Sequence, residues 1–232
     1  MPKTEYQQVA DSDAAARAAV ELILQQAATA IAKRGRFVLA LCGGRTPQRV
    51  YELLATAQQD WSHWHILYGD ERCLPRQDEE RTSNIVERCW LGKIHFPANN
   101  HHVPAVELGA DAAAVDYTAA IEPLLPLDLA LLGMGEDGHT ASLFPGESQS
   151  EQIVVPVHNA PKPPPDRISL SYATLCDAAT VCFLVTGSAK QYALQRWLHG
   201  ADLPVAKVIG RIRTILITDI PKAVPGEFVI FQ

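Results

Sequence analysis

Residues Leu127–Gly146 read LDLALLGMGEDGHTASLFPG. Leu127–Leu132 is a short apolar run bounded by Pro126 and Gly133, which predicts a buried strand. Beyond it the chain gives up its side chain at Gly133, Gly135 and Gly138, and between and after these glycines it sets Glu136, Asp137 and His139. Carboxylates and an imidazole are the groups best able to move a proton near neutral pH. A strand that opens into a glycine-rich loop carrying them is where an α/β fold places its chemistry.

The same loop satisfies the dinucleotide pattern G-x-G-x-x-G, from Gly133 to Gly138. The pattern is weak without its context. Here a pyrophosphate would meet Glu136 and Asp137, Pro145-Gly146 cuts short the helix that should follow, and Val157-His158-Asn159 stands where an acid should hold the ribose. The stretch therefore reads as a proton-transfer loop, and no cofactor is expected.

The 232 residues are read as one α/β domain spanning 1–232. With 47% hydrophobic and 20% charged residues the chain can bury a large core, which excludes disorder. A net charge of −6 argues against nucleic acid as the main partner. No apolar run has membrane-spanning length and MPKTEYQQVADSD lacks a signal core, so a cytoplasmic protein without a membrane partner is expected, as a monomer or weak homodimer. The five cysteines are odd in number and form no C-x-x-C pair, which fits reduced thiols. Cys42, before two glycines at a strand end, is either a small apolar residue or a nucleophile.

Upstream, the periodicity predicts a helix over Asp11–Lys33 and a strand over Phe37–Leu41. The strand enters Gly43-Gly44-Arg45-Thr46-Pro47, with Thr46 as N-cap and Pro47 opening a helix over Gln48–Ala57. Free backbone N–H groups at such a helix start bind phosphate; the alternative is a tight turn with no ligand. His65–Tyr68 is the next strand, ending at Gly69-Asp70-Glu71-Arg72; residues 73–81 read as a loop, and Thr82-Ser83-Asn84 opens a helix to about Trp90. The pairs His63/His65 and His101-His102 lack a further ligand and read as surface, so no metal site is expected. A helix over Asp111–Ile121 precedes the central strand.

Downstream, Ile153–Val157 reads as a strand, Pro156–Pro165 as a stiff loop, and Arg167–Ser171 and Ala179–Thr186 as strands. Gly187-Ser188-Ala189-Lys190 begins a helix to about His199, where a lysine in the first turn opposes the macrodipole unless an anion binds there. Arg213–Thr218 is a last strand before a proline-rich tail.

Taken together, Gly43-Gly44-Arg45-Thr46-Pro47, Asp70-Glu71-Arg72 with Ser83-Asn84, Leu132–Gly146 and Val185-Thr186-Gly187-Ser188-Ala189-Lys190 resemble the 6-phosphogluconolactonase family in order and spacing. The resemblance implies a metal-independent hydrolase of the oxidative pentose phosphate pathway, acting on a small sugar-phosphate lactone. It also implies a mostly parallel twisted sheet with helices on both faces, like glucosamine-6-phosphate deaminase and ribose-5-phosphate isomerase. His139 matches the family's proposed general base, and Arg167 and Lys190 match basic positions that hold the sugar phosphate in the wider superfamily. Ile215–Asp219 departs from the pattern, standing where lactonases tend to carry a tryptophan followed by an acid.

A lactone is an ester, so hydrolysis needs an activated water, a held substrate and a place for oxyanion charge. An imidazole of pKa about 6.5 can activate water. Asp137 can fix its tautomer, and Arg72 or backbone N–H groups can stabilise the oxyanion. The expected catalytic set is His139, Asp137, Arg72 and Asp70, and the expected substrate and phosphate set is Gly43, Gly44, Arg45, Thr46, Asn84, Arg167 and Lys190. Two other readings stay open: a sugar-phosphate isomerase or deaminase, in which Asp70 and Asp137 shuttle a proton, and a non-catalytic sugar-phosphate sensor.

Overall fold

The chain begins with strand β1 (Glu5–Gln8) and helix α1 (Ser12–Arg34). The Asp11 carboxylate accepts the Ala14 N–H at the start of α1, and Gly35, at φ 75°, closes its end by donating to the Ile31 carbonyl. Only glycine takes that left-handed cap without strain. There follow β2 (Phe37–Leu41), α2 (Arg45–Leu54), β3 (Trp64–Tyr68), β4 (Asp70–Arg72), α3 (Thr82–Cys89), α4 (Ala110–Ile121) and β5 (Leu129–Leu132). The remainder is β6 (Val154–Val157), β7 (Arg167–Leu170), α5 (Tyr172–Cys176), β8 (Thr180–Val185), α6 (Gln191–Leu198), α7 (Pro204–Lys207) and β9 (Arg213–Thr218). This computed structural model describes residues 4–146 and 150–222; the proline-rich tail lies, from residue 223 on, outside the described residues.

Six strands form a parallel sheet in the order β1-β9-β8-β5-β2-β3. From β2 the chain steps outward to β3, then returns to β5 and runs the other way through β8 to β9. The winding direction thus reverses between β2 and β5, and ligands bind beyond the carboxyl ends of strands at such a point. Both faces of the sheet are covered. Along β2, Phe37, Leu39 and Leu41 join a core with α1, α2 and α3, while Val38 and Ala40 face the core that holds α4. The β5 and β8 side chains divide the same way, as period-two alternation requires.

A second, antiparallel sheet, β4-β7-β6, sits over the edge of the first. Gly69 is the step between them. Its N–H donates to Leu41 in the large sheet at 2.7 Å, and its carbonyl accepts from Leu170 in the small one at 2.8 Å. Asp70 and Arg72 are thereby carried past the carboxyl end of β3.

The mostly parallel, helix-flanked architecture expected from the sequence is the one observed. Among the differences from the expected elements, some have a plain physical reason. Helix α2 begins at Arg45 with Gly44 as N-cap, so Thr46 lies within the first turn instead of capping it. The segment Ser188–Lys190 is a 3₁₀ turn ahead of α6. Strand β1, too polar to show a strand pattern, is recruited at the sheet edge by pairing with β9 from Glu5↔Ile215 to Gln8↔Thr218. Strand β9 itself is paired on both sides, which fixes the packing of Ile215–Thr218 in the divergent stretch.

Candidate active site

The loop after β5 closes on itself. The Gly135 N–H donates to the His139 carbonyl at 2.8 Å and the Gly138 N–H to the Gly135 carbonyl at 3.1 Å. Within this turn His139 Nδ1 lies 2.5 Å from Asp137 Oδ1, and the same oxygen accepts the His139 N–H at 3.2 Å. A Cβ at Gly135 would stand 2.0 Å from His139 Nδ1, so glycine is what leaves room for the pair. Leu203 packs against Gly138, and the Val205 N–H donates to the Gly138 carbonyl at 3.1 Å, so the start of α7 supports the turn from outside.

Burial lowers the pKa of His139, opposed by the Asp137 and Asp70 charges and assisted by Lys162. For Asp137, burial disfavours the charged form, but the bonds and charge of His139 prevail and hold the carboxyl below its usual range. The consequence is a neutral imidazole beside an ionised carboxylate at neutral pH. With its Nδ1–H donating a hydrogen bond to the Asp137 carboxylate, the ring keeps its Nε2 lone pair available.

The small sheet brings a second acid and two cations to the same place. Asp70 is paired in register with Ser169, and Arg72 with Arg167. The Asp70 carboxylate accepts the Ser142 hydroxyl at 2.7 Å, which ties β4 to the loop that carries His139. Phe144 fills the space between, its ring 4.7 Å from that of His139 and 5.8 Å from the Arg167 guanidinium carbon. Like charges directly across a ladder repel. Here Arg72 and Arg167 stand in that relation; burial lowers the pKa of Arg167, Asp70 opposes the shift and Arg72 adds to it. Arg167 also spans the proline loop, donating to the carbonyls of Lys162, Pro163 and Pro164, and Arg72 donates to the Glu80 carbonyl.

On the other side of β5 the ends of β2 and β8 converge. Thr46 Oγ1 and Thr186 Oγ1 are 2.6 Å apart, joining the first turn of α2 to the end of β8. No side chain caps α2, and the amides of Gly43 and Gly44 have no hydrogen-bond partner among the described residues. Arg45 is exposed beside them. Gly187, at φ 88°, donates its N–H to the Asp219 carboxylate at 2.9 Å, fixing the turn that carries Lys190. Lys190 Nζ lies 3.8 Å from Glu136 Oε1.

Of the expected residues, Asn84 stands apart in what it does: its amide donates to the Arg76 and Asp78 carbonyls and shapes the loop before α3. The start of α3 is taken by a protein carboxylate. Glu71, fully buried, accepts the N–H groups of Arg72, Thr82 and Ser83. Glu71, Ser142 and Phe144 stand within the quoted motifs but received no role from sequence, and Ser169 was read only as part of a strand; an acid between Asp70 and Arg72 was the one available signal. Cys42 is buried, its thiol pKa raised by that burial, and it closes β2 as an apolar residue. His65 and His102 are 3.2 Å apart and His101 Nε2 meets the Tyr68 hydroxyl at 2.6 Å; burial pushes His101 down to about 4. These histidines pack the sheet edge instead of lying free on the surface, and among the described residues no cluster able to hold a metal ion occurs. Among the described residues no helix is long and apolar enough to cross a membrane.

Residues 10–216 match the family model described as glucosamine-6-phosphate isomerases/6-phosphogluconolactonase. A 6-phosphogluconolactonase of Mycobacterium tuberculosis is 35% identical over 90% of this chain and 93% of its own length. 6-Phosphogluconolactonase 3 of Saccharomyces cerevisiae is 34% identical over 81% of this chain and 83% of its own. The crystal structure of the 6-phosphogluconolactonase of Thermotoga maritima superposes with a TM-score of 0.87 at 28% identity, covering 93% of this chain and 99% of that one. The chain belongs to the glucosamine-6-phosphate isomerase/6-phosphogluconolactonase family.

Proposed function

We propose that this chain hydrolyses 6-phospho-D-glucono-1,5-lactone to 6-phospho-D-gluconate, the ring-opening step of the oxidative pentose phosphate pathway. The observation that carries the reading is the Asp137–His139 pair, held in a glycine turn at the switch point of a sheet whose relatives are lactonases. His139 Nε2 takes a proton from water as the water oxygen attacks the lactone carbonyl carbon. Asp137 stabilises the imidazolium that forms. The carbonyl oxygen gains negative charge, which Arg72 stabilises through the guanidinium N–H groups it does not give to Glu80, whereas the Gly135 and Gly138 amides are wholly engaged within their own turn. When the tetrahedral intermediate collapses, the bond to the ring oxygen breaks and His139 returns its proton to that oxygen. Asp70, fixed by Ser142, faces His139 and Arg167 and keeps the field between them balanced.

The 6-phosphate is gripped at the other end by Lys190, by the free amides of Gly43 and Gly44, and by Thr46, with Arg45 adding positive charge, whereas Arg167, across from Arg72 and over Phe144, stays at the His139 end. Helix starts favour such anions. The reaction needs no cofactor or metal, and the chain works as one domain, a monomer or weak homodimer in the cytoplasm. A coupled assay of the purified protein tests the reading. The expected result is hydrolysis of the phosphorylated lactone above the spontaneous rate, unchanged by a chelator. Turnover of glucosamine 6-phosphate without lactone hydrolysis would instead support a deaminase built on Asp70 and Asp137.

A further inference from the structure

Lys190 does not stand ready for an anion; it already holds one. Its ammonium lies 3.8 Å from Glu136 Oε1, with side-chain exposures of 27% for Lys190 and 59% for Glu136. The two residues come from the loops after β8 and β5, which are adjacent strands. Lys190 is thus fixed and half-buried at the end of a 3₁₀ turn, while its partner reaches in from solvent. Glu136 makes no hydrogen bond among the described residues that would tie its carboxylate elsewhere. It is also the residue next to Asp137, the carboxylate paired with His139.

We propose that Glu136 is a built-in counter-ion of the phosphate seat, occupying Lys190 in the empty enzyme and displaced by the incoming phosphate, so that it limits how tightly phosphorylated substrate and product are held. The inference rests on the reading of Lys190 as a phosphate contact. A phosphate monoester carries roughly −1.5 to −2 charge near pH 7 and outcompetes a single carboxylate for the ammonium. Displacement is cheap because a long ion pair whose carboxylate side is open to solvent is weak. The same pair reduces the fraction of enzyme whose Lys190 is free, and apparent affinity falls by that fraction.

The test compares the intact protein with Glu136→Gln, Lys190→Ala and the double variant, using the phosphorylated lactone as substrate and inorganic phosphate as a competitive probe. Glu136 is exposed, so its replacement leaves folding intact. Glu136→Gln is expected to lower both the KM for the phosphorylated lactone and the inhibition constant for phosphate by about 2- to 5-fold. In the Lys190→Ala background that gain should vanish, because no ammonium remains to compete for. An unchanged or raised phosphate constant in Glu136→Gln overturns the proposal, as does a gain of equal size without Lys190. If Lys190→Ala by itself leaves phosphate inhibition unaltered, the phosphate seat lies elsewhere and the reading beneath the proposal fails first.

Discussion

His139 Nδ1 and Asp137 Oδ1 approach to 2.5 Å across the position where Gly135 carries no side chain. Gly135 is not at a positive φ, so alanine is permitted by the backbone there and excluded only by the pair it would enter. Gly135→Ala should therefore behave as a dyad variant and not as a folding variant. The expected loss in kcat is roughly 10²- to 10⁴-fold, similar to that of His139→Ala, with circular dichroism unchanged. Near-normal kcat in either variant would move the general base elsewhere.

The pH profile follows from the same pair. The base must be neutral, so kcat/KM should be flat around neutrality and fall as pH drops through the depressed pKa of His139. Asp137 is one of the charges that favours the protonated ring. Asp137→Asn should thus lower kcat and shift the acid limb to still lower pH. Removing the Lys162 charge, as in Lys162→Met, should move the limb upward. A limb that rises in Asp137→Asn would show that the carboxylate does not act on the imidazole.

Lys190→Ala tests the phosphate end. A lost charge-assisted hydrogen bond is worth about 1.5–3 kcal/mol, so kcat/KM for the phosphorylated lactone should fall by roughly 10- to 150-fold. The ratio of its efficiency to that of the unphosphorylated lactone should fall by the same factor. Equal losses for both lactones would assign Lys190 to the fold or to the chemistry.

Glu71 offers a stability test distinct from these. Its buried carboxylate accepts the N–H groups of Thr82, Ser83 and Arg72, each at 3.0 Å or less. Burial raises its pKa, and those amides pull the other way. Glu71→Gln keeps one acceptor oxygen but turns an amide toward a backbone N–H. The expected cost is about 1–3 kcal/mol for the donor left unsatisfied, read as a lower denaturation midpoint at constant m-value. No loss would mean that the start of α3 finds water in place of the carboxylate.

The central motif was readable because its parts are contiguous. Apolar β5, the glycines and the Asp137–His139 spacing all lie within a dozen or so residues, and a turn that short brings its own side chains together. The glycine-ended strand β2 and the turn holding Lys190 were legible for the same reason. The Asp70–Ser142 bond was not: its partners are 72 residues apart and meet only because Gly69 hands the chain from one sheet to the other.

What the sequence by itself determined was a parallel α/β fold, the loop that carries the imidazole, and the cations that accompany it. Local periodicity and residue chemistry suffice for the alternating strands and helices and for the loop, while the parallel sheet and the part given to the cations were implied by the family resemblance. Tertiary structure alone decided how the pieces are shared out. It placed β5 between β2 and β8, joined Thr46 to Thr186, spent Asn84 on a loop and Glu71 on a helix start, and set Glu136 on Lys190. Strand order and register are long-range properties, fixed by which apolar faces can be buried together, and no window of neighbouring residues carries that information.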